Sequence, residues 1–256
     1  MVTKTVVLQV DGLKIAGRIY LPDEGGKLSY PIVCICHGIP SGSPPAPGDK
    51  GYPGLAESIC SEGIGAFIFN FRGTGFSEGN LDILGWTRDL KAAIDYLYAL
   101  PEVDRTHLSL LGFSGGAAVS VYAASRDTRV TAVVACACPA EFSLLTRANS
   151  LSSVIDRFRS IGVFRDKGFP HSVEEWFNGF RVVRPIKYVA RIAPRPLLLV
   201  HGNQDETVPL NNAHRLYEKA KEPKQIIVVD GAGHRLRHDS GAMSAAINWL
   251  KYQGQI

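Results

Sequence analysis

A serine hydroxyl is a weak nucleophile near pH 7 and needs a neighbouring base, usually a histidine whose tautomer is held by a carboxylate. The sequence carries the pentapeptide Gly-x-Ser-x-Gly twice, from Gly75 to Gly79 around Ser77 and from Gly112 to Gly116 around Ser114. The pattern carries chemistry only where a strand runs into a sharp turn and then a helix, because that turn lifts the serine oxygen clear of the sheet. Ser114 has this context: His107 to Leu111 reads as a strand and Ala117 to Ala124 as a helix. Ser77 is followed by no immediate helix, and Glu78 would place negative charge where an oxyanion must develop. Ser114 is therefore the expected nucleophile and Ser77 a turn residue. Gly112 and Gly116 keep the turn free of side chains that would block it.

A carboxylate and then a histidine are expected downstream, on loops that follow two successive late strands. The run from Pro196 to Val200 leads to Asp205, and the run from Ile226 to Val229 leads to His234. Asp230 is the competing acid, but it ends the same strand that leads to His234, whereas Asp205 follows a different strand and can approach the imidazole from the side. His234 is thus the expected general base and Asp205 its orienting acid. The nearby His238 falls at the start of the final helix as a solvated residue, and His37, His107, His171, His201 and His214 read as loop, strand-edge or surface residues. The oxyanion of a tetrahedral intermediate needs backbone N–H donors, one after the nucleophile and one after an early strand. Gly115 and Ile39 occupy those places.

These residues need a scaffold, and the hydrophobic pattern supplies one. Lys4 to Val10 and Leu13 to Leu21 alternate around Asp11 and Gly12, a strong hairpin signal. After them, strand-like runs from Ile32, Ala66, His107, Val130, Pro196 and Gln225 alternate with helix-like segments from Tyr52, Leu84, Ala117, Asn211 and Gly241. Such alternation builds a mainly parallel sheet with helices on both faces. Between Pro139 and Pro194 the rhythm breaks without an obvious strand. This stretch is too long for a plain connection, and a small helical insertion over the carboxyl ends of the strands is expected there. The loop from Pro40 to Pro47 is placed at the mouth of the site. We expect one domain over residues 1–256, with residues 140–193 as its cap.

Composition excludes several classes. With 45% hydrophobic and 20% charged residues the chain falls in the ordinary globular range. A net charge of +4, with 28 Lys and Arg scattered among 24 Asp and Glu, argues against nucleic acid as a partner. The amino terminus enters a strand pattern directly, and no apolar stretch reaches the roughly 20 residues that span a bilayer, so a soluble cytoplasmic protein without a membrane partner is expected. Five cysteines include the pairs Cys34 and Cys36, and Cys136 and Cys138, inside apolar runs; buried thiols are favoured over a metal site. No metal or cofactor is expected, and a homodimer is one assembly that the chain allows.

Taken together these motifs resemble the α/β-hydrolase superfamily, near the small esterases related to dienelactone hydrolases and prolyl oligopeptidases. The likeness covers nearly the whole chain. His37 and Gly38 are similar to the oxyanion loop, Arg72 to Ser77 to an Arg-Gly-x-Gly-x-Ser loop, Gly112 to Gly116 to the elbow, and His201 to Pro209 and Gly231 to His234 to the acid and base loops. The resemblance implies an α/β-hydrolase fold, a mostly parallel eight-stranded sheet with a helical insertion after the sixth strand, and assigns Ser77 to a structural loop. Ser replaces the Cys nucleophile of true dienelactone hydrolases, and no propeller of the prolyl-oligopeptidase kind is expected within these 256 residues. The layout also resembles feruloyl and cinnamoyl esterases.

The expected function is hydrolysis of a small-molecule carboxylic ester, as a carboxylesterase does. Thioester hydrolysis, acyl transfer and amide or peptide cleavage would use the same residues, and a non-catalytic binding protein on a hydrolase fold is the alternative of another class. Trp176, Phe177 and Phe180 are candidates to line an acyl or aryl pocket, with core packing an equal alternative. Arg147, Arg157, Arg159, Arg165 and Lys167 make the insertion basic, either as a clamp for acidic substrates such as coenzyme A thioesters or as a solvated helical face.

Overall fold

The computed structural model describes residues 1–23, 29–44, 47–142 and 151–254. Strands β1 (Val2–Val10) and β2 (Leu13–Leu21) pair antiparallel, and φ is positive at both turn residues, 52° at Asp11 and 79° at Gly12. That combination defines the turn whose twist matches a tight hairpin. Strands β3 (Tyr30–Cys36), β4 (Gly65–Phe69), β5 (Val103–Phe113), β6 (Ala132–Cys136), β7 (Leu197–Gly202) and β8 (Lys224–Val229) complete an eight-stranded sheet in the order β1-β2-β4-β3-β5-β6-β7-β8. β2 meets β4 antiparallel, and all pairs from β4 to β8 are parallel.

Every residue of β3, β6 and β7 is buried, which explains their unbroken apolar runs: a central parallel strand is covered on both faces. Alternate residues enter opposite layers. Cys34, Leu110, Val133 and Leu199 pack with helices α2 (Ile83–Ala99) and α3 (Gly115–Ala124), while Val33, Leu111, Val134 and Leu198 pack with α1 (Gly51–Cys60) and the final helix (Ser240–Gly254). All five cysteines are buried within these layers, and burial pushes the thiols of Cys136 and Cys138 up in pKa. Among the described residues no helix is long and apolar enough to cross a membrane.

Between β6 and β7 lie α4 (Leu151–Ser160) and α5 (Val173–Val182), then short 3-10 turns at Pro185–Lys187 and Val189–Arg191. This insertion is fastened to the loop after β4. The indole N–H of Trp176 donates to the Leu81 carbonyl at 2.9 Å, Leu81 N–H donates to Val163 at 2.8 Å, and Asn80 Oδ1 accepts from the amides of Arg165 and Asp166. That loop is itself held by a buried ion pair, in which Arg72 donates from Nε and Nη2 to Asp89 of α2 at 3.0 and 2.7 Å.

Candidate active site

Ser114 stands between β5 and α3 with φ 50° and ψ −117°, a backbone conformation that costs a side-chain-bearing residue on the order of 1–3 kcal/mol. Hydrogen bonds from Ser114 N to Cys136 O (2.9 Å) and from Ala118 N to Ser114 O (3.1 Å) hold it there. The elbow has no room beside it: a Cβ on Gly116 would lie 2.3 Å from the carbonyl oxygens of Cys36 and His37.

Two loops from the far end of the sheet converge on this serine. His234 Nε2 lies 3.0 Å from Ser114 Oγ, and His234 Nδ1 lies 2.8 Å from Asp205 Oδ2. A carboxylate only accepts, so Nδ1 carries the proton and Nε2 is left to accept from the serine hydroxyl. The Asp205 side chain is fully buried, and its Oδ1 accepts from the amides of Thr207 (2.9 Å) and Val208 (2.7 Å). Burial alone would raise its pKa, but the contacts from His201, His234 and Val208 N outweigh it and hold the carboxyl well below the usual range. This arrangement can pass a proton from Ser114 Oγ to His234 Nε2 and stabilise the resulting imidazolium. Asp230 is elsewhere, accepting from Asn203 Nδ2 at 2.7 Å. Ser77 is fully buried, its hydroxyl donating to the Asn70 carbonyl and accepting from Ala16 N at 2.9 Å, so it ties the β4 loop to β2.

The Ile39 and Gly115 amides sit close together: a Cβ built on Gly115 would be 3.6 Å from Ile39 N. Gly115 opens α3, where the first amides have no partner within the helix, and among the described residues neither amide meets an acceptor. His37 braces the same loop. Its Nδ1 donates to Gly38 O at 2.7 Å, and its Nε2 accepts from Phe71 N at 3.1 Å. Burial lowers its pKa to about 4.

A cleft of about 640 Å³ opens over Ser114 and His234, walled by Ile39, Pro40, Tyr52, Phe113, Leu236 and the loop from Ser41 to Pro44. Pro45 and Ala46 of that loop lie outside the described residues. Trp176, Phe177 and Phe180 do not line the cleft, which corrects the expectation drawn from their apolar character. Each is at most 5% exposed, and Trp176 stacks edge-on against Phe158, Phe164 and Phe180 with ring centres 5.1–5.8 Å apart. The insertion spends these rings on its own core. Its basic residues also divide: Arg165 donates to the carbonyls of Gly75 and Ser77, Arg159 pairs with Asp156 at 3.7 Å, and Arg157 reaches the Ser41 carbonyl at 3.2 Å. Arg147 lies outside the described residues. Arg235, which lines the cleft, was not singled out by sequence; its place next to His234 in the chain is the signal that could have found it.

The model of the prolyl oligopeptidase family matches residues 55–253 of the chain. The chain belongs to this family. The relative YfhR of Escherichia coli is 27% identical over 229 residues, 88% of this chain and 70% of that protein. Among solved structures, the α/β hydrolase GrgF from Penicillium superposes with a TM-score of 0.77 at 19% identity over the whole of both chains. Est1E from Butyrivibrio proteoclasticus gives 0.73 at 17% identity over 97% of this chain and 98% of that one. At such identities these structures establish the α/β-hydrolase fold for this family member.

Proposed function

We propose that this chain is a serine hydrolase that cleaves small carboxylic esters through an acyl-enzyme on Ser114, using one α/β domain with residues 140–193 as its cap. The observation that carries this reading is the unbroken line of contacts from Ser114 Oγ through His234 to Asp205, at 3.0 and 2.8 Å. In the first step Ser114 Oγ attacks the ester carbonyl carbon while His234 Nε2 takes its proton, and the carbonyl oxygen becomes an oxyanion facing the Ile39 and Gly115 amides. Collapse breaks the bond to the alcohol oxygen, which leaves with the proton from Nε2. Water then loses a proton to Nε2 and attacks the acyl carbon, and Ser114 Oγ departs and is reprotonated. Asp205, its carboxyl held well below the usual range, stays ionised throughout.

An ester is favoured by the open cleft with apolar walls and by the likeness to Est1E, whose structure has been solved with ferulic acid bound. The family's description supports a second reading, in which the same residues cleave a peptide bond. A panel of nitrophenyl esters, thioesters and aminoacyl amides, assayed in parallel with fluorophosphonate labelling, tests both. The expected result is ester turnover and labelling, both lost in Ser114→Ala. Turnover of amides alone would install the second reading, and an unlabelled, inactive protein would sink both.

A further inference from the structure

Among the described residues, two guanidinium groups that reach the Ser41 loop of the cleft have no carboxylate as counter-ion. Arg235 lines the cleft next to the base, with Nη2 3.4 Å from Ser41 Oγ. Arg157 comes from α4 and donates through Nη2 to the Ser41 carbonyl at 3.2 Å. Both side chains are exposed, and among the described residues neither forms an ion pair with a carboxylate. The cations beside them are accounted for. Arg237 forms a two-point pair with Asp49 at 2.7 and 2.6 Å, and Arg159 pairs with Asp156. Ser41 Oγ accepts from Ser43 N at 3.2 Å as well as from Arg235, which leaves its own proton free to donate outward.

Two like charges gathered on one loop residue repel each other unless an anion joins them. Guanidinium forks suit the two oxygens of a carboxylate or the face of a phosphate, and each such charge-assisted contact is stronger than a neutral one. The Asp49 carboxylate, which also lines the cleft, is taken up by Arg237, so the charge left at the mouth is positive and concentrates ligands of the opposite sign. We propose that Arg235, Arg157 and the Ser41 hydroxyl form an anion subsite, and that the substrate is an ester whose far end carries a carboxylate or phosphate. This rests on the esterase reading above for the chemistry, but not for the binding.

The test therefore reads binding separately from turnover. Ser114→Ala protein is titrated calorimetrically with 4-acetoxybenzoate, its neutral match 4-acetoxybenzamide, and 4-acetoxyphenyl phosphate. The two charged esters show whether carboxylate or phosphate is preferred. A charged ester is expected to bind at least about tenfold more tightly than the amide. That ratio should shrink as NaCl is raised from about 20 to about 200 mM. Adding Arg157→Gln and Arg235→Gln should bring the ratio near one, while Arg235→Lys keeps part of it. In the unmodified protein the same preference should appear in KM rather than kcat. Equal binding of charged and neutral esters, or a preference that survives both Arg→Gln changes, overturns the subsite. Selective binding of the charged ester without turnover by the unmodified protein supports the subsite and sinks the esterase reading instead.

Discussion

His37 and Ile39 are joined through one peptide unit: the Gly38 carbonyl that accepts from His37 Nδ1 at 2.7 Å shares its trans peptide bond with the Ile39 amide. The carbonyl and N–H of a trans peptide point in opposite directions, so the imidazole that holds one also aims the other. This bond and the one from Phe71 N need a neutral ring with its proton on Nδ1.

Stability follows from that requirement. Burial lowers the His37 pKa to about 4, while an unfolded histidine titrates near 6.5. Between these values the unfolded chain binds a proton that the folded one refuses, so stability is complete above about pH 6.5 and falls as pH drops toward 4. The loss should reach about 3 kcal/mol. Urea denaturation from pH 7 to pH 4 should show this slope, and His37→Gln should flatten it; an equal slope in the variant would place the titration elsewhere.

Asp205→Asn should lower kcat by about four orders of magnitude, because an amide can donate to Nδ1 and so favours the wrong imidazole tautomer. Asp230→Asn, which changes a contact with Asn203, should leave turnover within a few-fold. Steady-state rates on a nitrophenyl ester decide the matter, and the reverse pattern would move the acid to Asp230.

Ser77→Ala should leave fluorophosphonate labelling of Ser114 in place and cost stability instead. Its hydroxyl is the shared partner of Ala16 N and Asn70 O, and stranding buried polar groups costs about 1–3 kcal/mol. Labelling and a denaturation midpoint, measured on the same preparation, separate the two effects.

Asp89→Ala should be the more damaging change, although Asp89 is not at the cleft. It would leave the Arg72 guanidinium, which is 6% exposed, with Asp11, 42% exposed and 2.9 Å away, in place of its fully buried partner. Breaking a buried pair from one side costs about 3–5 kcal/mol. A large fall in Tm is expected, while Lys91→Ala, which breaks an exposed pair with Asp95, should shift it little.

Acyl length should show an early optimum. Each methylene buried gains about 0.8 kcal/mol only while the cleft has wall to offer, and the insertion's large rings are committed to its own core. Across nitrophenyl esters, kcat/KM is expected to peak between acetyl and hexanoyl and to decline by about twelve carbons. A maximum at long chains would show that the cleft extends beneath the insertion.

The sequence by itself was informative where the deciding physics is local. Asp11 and Gly12 announce a hairpin because few residue pairs tolerate two positive φ values, and the buried parallel strands announce themselves as apolar runs because both of their faces are covered. The elbow glycines are legible for the same reason, since a turn that tight excludes side chains. The loops bearing Asp205 and His234 could be placed by strand order, yet their distances to each other and to Ser114 exist only in the folded sheet. The insertion was least legible. Nothing in the spacing of Trp176, Phe177 and Phe180 says whether they face a ligand or each other; contacts with Leu81 and Phe158, made across the fold, settle it. The approach of Arg157 and Arg235 to Ser41 joins positions 116 and 194 residues apart, and a contact of that range leaves no periodic trace in the chain because it depends on how the loops pack.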